Sequence, residues 1–112
     1  MFDTDPGASG VCAVEVRRSD GVTSAVLVGD LEASSALAIE AVLSDELHDR
    51  PDLLEVSLEG LEFLDSSGLR VLLLLHRNAT HVGVPLRFVR PRGPVRQTLE
   101  FAKALDYLEI DS

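Results

Sequence analysis

The segment LEGLEFLDSSGL, residues 58–69, joins an apolar run to a polar turn and then to a strongly apolar helix, predicted from about Gly68 to Thr80. Asp65, Ser66 and Ser67 form the polar turn where that helix begins. Side-chain oxygens at a helix start accept hydrogen bonds from backbone N–H groups that have no partner inside the helix. On these residues alone, the simplest prediction is that the turn caps the helix.

The patterns on either side of this segment predict the element order β-β-α-β-α-β-α, followed by a short last strand. Cys12, Val14 and Val16 make one side of the first strand wholly apolar, and Asp20-Gly21 is the typical signal of a tight hairpin turn. The predicted strands are residues 11–17, 22–28, 53–58, 85–89 and 107–110, and Gly29 and Gly60 are expected to end the second and third of them. The first predicted helix runs from Ser34 or Ser35 to about His48, the second from about Gly68 to Thr80, and the third from Val95 to Ala104. We therefore expect an α/β fold with a mixed β-sheet opened by a hairpin and packed with about three helices.

Length and charge limit what the chain can be. Its 112 residues, 46% of them hydrophobic, suit one compact core, and we expect a flexible arm over residues 1–10 and a single domain over residues 11–112. No apolar run approaches the roughly 20 residues that cross a bilayer, which predicts a cytoplasmic protein without membrane contact. The net charge of −9 argues against direct nucleic-acid binding, because neutralising phosphates requires clustered basic residues. One basic patch, whose role stays open, consists of Arg87, Arg90, Arg92 and Arg96.

The sequence lacks the patterns that accompany catalysis. Three histidines are present, His48, His76 and His81, but there is no G-x-S-x-G elbow and no glycine-rich phosphate loop. Cys12 is the only cysteine, no Cys/His cluster has the spacing of a zinc site, and we expect its thiol to pack in a strand. The prediction is a binding protein with no enzyme activity, cofactor or metal.

The motif DSSGL, residues 65–69, follows an apolar-x-Phe-apolar approach at residues 61–64 and resembles the phosphorylation motif of the anti-sigma factor antagonists, a family of STAS domains. Residues 29–32, Gly-Asp-Leu-Glu, are similar to the family's Gly-Glu-Leu-Asp pattern with the two acids exchanged. The predicted element order is also the family's, so the resemblance covers all but the first ten residues. It departs from the family at residues 102–106, where a glycine often follows the third helix.

This resemblance implies a phosphorylation switch. Ser66 corresponds to the family's phosphate acceptor, Ser67 is then a neighbouring cap, and Asp65 shapes the loop and its charge. The unphosphorylated protein is expected to bind an anti-sigma factor that is also a serine kinase of the GHKL type, and so to release a sigma factor. Phosphorylation of Ser66 ends that complex, and a PP2C-type phosphatase restores it. The alternative for the same fold is a scaffold or accessory subunit, in a stress-signalling complex or beside a lipid-transport ATPase.

The predicted second helix has two faces with different expected roles. Gly68, Val71, Leu72, Leu75 and Ala79 share one face at helical spacing and are expected in the core. On or near the other face lie Arg70, Leu73, Leu74 and Arg77. This face is either a docking patch beside Ser66 or a surface covered by the third helix or the crossover, and both interpretations stay open. The residues expected to shape the motif or contact a partner are Asp30, Glu32, Asp65, Ser67, Gly68, Leu69, Arg70, Leu73, Leu74 and Arg77.

Overall fold

The computed structural model describes residues 12–108 and 110, so the arm predicted over residues 1–10 lies outside the described residues. The elements in chain order are β1 (Cys12–Ser19), β2 (Val22–Leu31), α1 (Ala36–His48), β3 (Leu53–Leu64), α2 (Ser66–Val82), β4 (Leu86–Val89), α3 (Gly93–Phe101) and α4 (Ala104–Leu108). The sheet order is β1-β2-β3-β4, with β1 antiparallel to β2 and the other two pairings parallel. The predicted mixed sheet and α/β class are confirmed.

The opening hairpin has the predicted turn. Asp20 and Gly21 both adopt positive φ, 52° and 84°, between the paired residues Ser19 and Val22. This is the backbone that a two-residue turn needs to follow the twist of its strands. The predicted alternation is also present, because Cys12, Val14 and Val16 are half-buried while their neighbours in β1 are exposed.

Gly29 and Gly60 do not end their strands, which corrects the sequence prediction. β2 continues through Gly29 at φ 108° to Leu31, and its register with β3 shifts beside that residue. β3 continues through Gly60, where a Cβ atom would lie 2.8 Å from the Leu27 carbonyl oxygen. Each glycine therefore allows an irregular strand to stay paired, as glycine does at bulges and close backbone approaches. The consequence is that β2 and β3 end side by side at Leu31 and Leu64.

The C-terminal region also differs from the prediction. The third helix ends at Phe101, and Lys103 takes a positive φ of 59° before α4 begins at Ala104. The predicted strand over residues 107–110 is wrong, because α4 instead buries Ala104 and Leu108 against the core. Lys103 lies in the turn where the family often has a glycine, and its left-handed backbone is the conformation that glycine adopts most easily.

The core lies between the sheet and its helices, and its largest fully buried side chains include Phe88, Leu27, Leu54 and Leu72. Cys12 packs against its margin, and burial raises the pKa of its thiol to about 11, so the thiol is protonated at neutral pH. Among the described residues, none of the helices combines the length and apolarity needed to span a bilayer.

Candidate functional site

The predicted motif lies where β2 and β3 end together. Leu31 pairs with Leu64, and the Asp65 N–H donates a hydrogen bond to the Leu31 carbonyl oxygen at 3.3 Å. Because parallel strands point their carboxyl ends the same way, the loop after β2 and the start of α2 become neighbours. The candidate site is therefore built from two segments that are more than 30 residues apart in the chain.

Asp65 is the residue that joins these two segments. It takes an extended backbone at the N-cap of α2, and its Oδ1 accepts a hydrogen bond from the Gly68 N–H at 2.9 Å. Its Oδ2 accepts from the Ala33 N–H in the loop after β2, at 3.3 Å. One carboxylate thus caps the helix and holds the neighbouring loop, which agrees with the loop-shaping role expected of Asp65.

The two serines occupy the first turn of α2 without capping it. Ser66 and Ser67 are the first two residues of the helix, so the cap predicted for Ser67 is wrong, and Asp65 supplies it. The position before the helix, not within its first turn, has the geometry from which a side chain reaches the free N–H groups. Ser66 is exposed, and its hydroxyl makes no hydrogen bond with another described residue. It lies at the helix end that carries partial positive charge.

Gly68 sets how closely α2 approaches β2. A Cβ atom at this position would lie 2.2 Å from the Leu31 carbonyl oxygen and 2.7 Å from Leu64 Cδ1. The first contact is with backbone and no side-chain rotation relieves it. Gly68 therefore has the close-packing role predicted for it, and Leu69 packs against the margin of the core.

An open groove begins beside Ser66 and runs between α1 and α2, with a volume of about 420 Å³. Leu37 of α1 is 79% exposed at its rim, and Leu74 of α2 is half-buried in it. The lining residues are Ala33, Ala36, Leu37, Glu40, Ser67, Arg70, Val71 and Leu74. Apolar side chains next to a basic and an acidic group suit a protein contact.

Comparison with known proteins places the chain in a family. Residues 13–112 match the model of the STAS domain. The chain belongs to the STAS domain family. A search of curated proteins found no match.

Solved structures similar to this STAS domain include an anti-sigma factor antagonist from Mycobacterium paratuberculosis, at 25% identity and a TM-score of 0.77, covering 93% of this chain and 88% of that one. The antagonist SpoIIAA in its unphosphorylated form is 21% identical with a TM-score of 0.73, covering 89% of this chain and 88% of that chain. SpoIIAA of Bacillus in its phosphorylated form is 20% identical with a TM-score of 0.67, covering 89% and 91% of the two chains. At their lower identities, the two SpoIIAA structures show a shared fold.

Glu32 and Ser35 shape the loop of the STAS domain that follows β2 and lies opposite Asp65. Glu32 accepts a hydrogen bond from the Ser34 N–H on its Oε1 at 2.6 Å, and its own N–H donates to Ser35 Oγ at 3.2 Å. Ser35 Oγ also donates to the Asp30 carbonyl oxygen at 2.8 Å. Ser35 therefore stands at the predicted N-cap of α1 but bonds backwards into the loop, and its side chain makes no cap bond. A partner contact by Asp30 or Glu32 stays a prediction.

The structure separates the four α2 residues on or near the second face of the helix, for which docking and coverage were both open. Arg70 and Leu74 line the groove, whereas Leu73 packs against the core. Arg77 is exposed near the end of α2, outside the groove lining. The five residues predicted for the core face, which include Val71 and Leu75, are all buried.

Three arginines of the basic patch are paired with acids. Arg87 lies 3.5 Å from Glu55, and Arg92 lies 3.6 Å from Glu59. Arg96 pairs with Glu100 one helical turn away at 3.3 Å. These acids offset part of the positive charge of the patch, and the role of the patch stays open.

Sequence reasoning missed the wall of the groove that α1 supplies. Leu37 is one of the apolar residues at helical spacing in the first helix, and no role in a groove was predicted for it. Its exposure follows from its position on the helix, because Leu37 lies about 200° around α1 from Ile39, and the core side holds Ile39, Leu43 and Leu47. Helical spacing therefore places Leu37 away from the buried set, but only the fold shows that α2 lies beside it.

Replacing Asp65 with Ala is expected to lower the free energy of unfolding by about 1–2 kcal/mol, because both the Gly68 and Ala33 N–H groups lose their acceptor. Ser67→Ala is the matched control and should change stability by less than about 0.5 kcal/mol, because Ser67 makes no cap. Urea denaturation of both variants measures the difference. Equal losses in the two variants would contradict the assignment of the cap to Asp65.

Proposed function

We propose that this STAS domain is an anti-sigma factor antagonist that acts in the cytoplasm by binding and has no enzyme activity of its own. The observation that carries the proposal is the exposed Ser66 hydroxyl at the start of α2, directly after the Asp65 cap and next to Ser67 of the groove lining. Its support from known proteins is the 25% identity to the Mycobacterium paratuberculosis antagonist over 93% of the chain.

The proposed partner is an anti-sigma factor that is also a GHKL-type serine kinase. Unphosphorylated antagonist occupies this kinase and so releases the sigma factor. The Ser66 Oγ then attacks the γ-phosphorus of ATP held by the kinase, the bond to the ADP leaving group breaks, and the hydroxyl proton passes to a base of the kinase. A PP2C-type phosphatase hydrolyses the phosphoserine and returns the antagonist to its binding form.

Ser66 suits this role better than Ser67 by its position. Ser66 is exposed at the first residue of α2, whereas Ser67 is half-buried and lines the groove. A kinase must bring the γ-phosphate in line with the attacking oxygen, which requires an approach free of neighbouring side chains. The preference for Ser66 therefore follows from access, independently of the family motif.

The added phosphate is expected to leave the fold intact. It brings about −1.5 to −2 charges at pH 7. Repulsion comes from Asp65 beside it and from exposed Glu62, while the helix N-terminus and Arg70 four residues further along α2 oppose that repulsion. In the docked complex a further cost arises, because the partner's surface must take the dianion out of water. Phosphorylation therefore ends binding without unfolding the antagonist.

The groove between α1 and α2 is the proposed docking surface. It begins at Ser67, beside the phosphate acceptor, and offers exposed Leu37 and half-buried Leu74. Because one partner must both dock and reach Ser66, contact with adjacent apolar residues would position its active site. Arg70 on the same helix would fix the orientation of an acidic group on the partner.

Leu74→Ala is expected to weaken binding of the kinase about ten-fold or more while costing less than about 1 kcal/mol of stability, because Leu74 lines an open groove. Leu73→Ala is the control on the same helix and should lower stability by about 1–3 kcal/mol with little direct effect on affinity, because Leu73 packs against the core. Isothermal titration with the kinase and urea denaturation separate the two effects. The reverse pattern would place the docking surface on the other side of α2.

Transcription from a promoter that depends on the sigma factor tests the function as a whole. The anti-sigma kinase should silence transcription, and added antagonist should restore it until ATP allows phosphorylation. A PP2C-type phosphatase should then recover the activity. If the antagonist binds no anti-sigma factor and transcription stays silent at every concentration of it, the proposed function is wrong.

A further inference from the structure

The strand β1 forms one edge of the sheet and carries exposed charges, but it lacks three other features that protect such an edge, which are a short strand, a proline and a bulge. It is eight residues long, contains no proline, and pairs with β2 without a register shift from Cys12 to Ser19. The opposite edge strand, β4, has four residues and follows Pro85. Short edge strands and prolines block pairing with another chain, whereas long regular edges invite it.

The hairpin turn determines which backbone groups of β1 point outward. Ser19 and Val22 flank a two-residue turn and therefore form a hydrogen-bonded pair. Hydrogen-bonded and non-bonded pairs alternate along an antiparallel ladder, so the N–H and C=O groups of Val14, Val16 and Arg18 point away from β2. None of these groups makes a backbone hydrogen bond to a loop within residues 12–108 and 110.

The charges of β1 are complementary to those of a second copy. Glu15 and Arg17 are both exposed, and within one chain they lie 3.9 Å apart in a weak contact. If two β1 strands pair antiparallel with Val16 opposite Val16, each Glu15 lies opposite an Arg17 of the other copy, twice by symmetry. The outward groups of Val14, Val16 and Arg18 also face each other in this register, as the ladder requires.

Neighbouring registers that satisfy the same hydrogen-bonding rule bring like charges together. If the two-fold axis passes through residue 15 instead of Val16, Glu15 lies opposite Glu15 of the other copy. If it passes through residue 17, Arg17 lies opposite Arg17. Like charges directly opposite each other destabilise a strand pair. The remaining charge on the strand, Arg18, points to the helix side and is held by Glu46 of α1, its Nε donating to Oε1 at 3.0 Å.

We infer that a second copy of this chain pairs with the β1 edge, forming a symmetric dimer with one continuous sheet and Val16 at its two-fold axis. The inference is independent of the proposed function, because the Ser66 site lies at the ends of β2 and β3, whereas the outward backbone groups of β1 lie on the side of that strand away from β2. In this dimer both Ser66 hydroxyls stay exposed, so each copy can bind one kinase molecule.

Charge exchange in β1 tests this inference on the full chain. Sedimentation equilibrium over about 1 µM to 1 mM should show a dimer of the unmodified protein. Glu15→Arg and Arg17→Glu each turn two attractive pairs into repulsive pairs and should weaken the dimer about ten-fold or more. The variant that combines Glu15→Arg with Arg17→Glu again places opposite charges across the strand pair, and it should form the dimer as the unmodified protein does. Glu62→Arg, an exposed change of equal charge on β3, should leave it unaffected.

Three outcomes would overturn the inference. They are a monomer at all concentrations, a dimer that neither single exchange weakens, and a double exchange that fails to recover association. Circular dichroism of each variant shows that the fold is kept, which is expected because Glu15 and Arg17 are exposed.

Discussion

Ser66→Ala is expected to abolish phosphate incorporation while the variant still binds the anti-sigma kinase and keeps the sigma factor released. The effect is complete because the proposed reaction has one acceptor oxygen, and alanine removes it without changing the charge of the site. Incubation with the kinase and ATP, followed by mass spectrometry of the intact chain, measures incorporation. Native gel shift or titration measures the complex that remains.

Two further variants at this turn test the assignment. Ser67→Ala should be phosphorylated as the unmodified protein is, since Ser67 is half-buried and faces the groove. Ser66→Asp should fold normally yet bind the kinase at least about ten-fold more weakly, because a carboxylate carries part of the phosphate's charge. Labelling of Ser66→Ala at the unmodified rate, or undiminished binding of Ser66→Asp, would show that Ser66 is not the switch.

Gly68→Ala is expected to lower the free energy of unfolding by about 2 kcal/mol or more, because its Cβ would lie 2.2 Å from the Leu31 carbonyl oxygen. Helix propensity alone predicts the opposite sign, since alanine stabilises a helix interior by about 1 kcal/mol relative to glycine. The sign of the change in urea denaturation therefore decides between the two effects. A stabilised variant would mean that α2 does not approach β2 so closely.

The same substitution should also impair the switch. Relief of the contact with Leu31 requires the start of α2 to move away from β2, and Asp65 bonds to both segments. Phosphorylation of Ser66 by the kinase should consequently slow. Gly83→Ala is a suitable control, because an added Cβ there meets nothing within 4 Å, although its φ of 77° makes the substitution strained. It should destabilise the chain without slowing phosphorylation of the folded fraction.

Local chemistry alone was enough to predict much of this protein. The Asp20-Gly21 turn needs positive φ at both residues, and the spacing of Val71 and Leu75 makes one face of α2 apolar wherever that helix lies. Both features depend on near neighbours in the chain, and both are present. The DSSGL motif likewise identified the family before its geometry was known.

Tertiary structure decided the features that depend on contacts between distant segments. The strands β2 and β3 continue through Gly29 and Gly60 because each strand supplies hydrogen-bond partners to the other. The local sequence of one strand does not show that the other strand lies beside it. Asp65 holds the loop after β2 as well as its own helix because the pairing of β2 with β3 brings the Ala33 N–H to its second oxygen. Leu73 and Leu74 are adjacent and chemically identical, yet one packs on the core and the other lines the groove. Successive residues of a helix point about 100° apart, so only the placement of neighbouring elements determines which of them is covered.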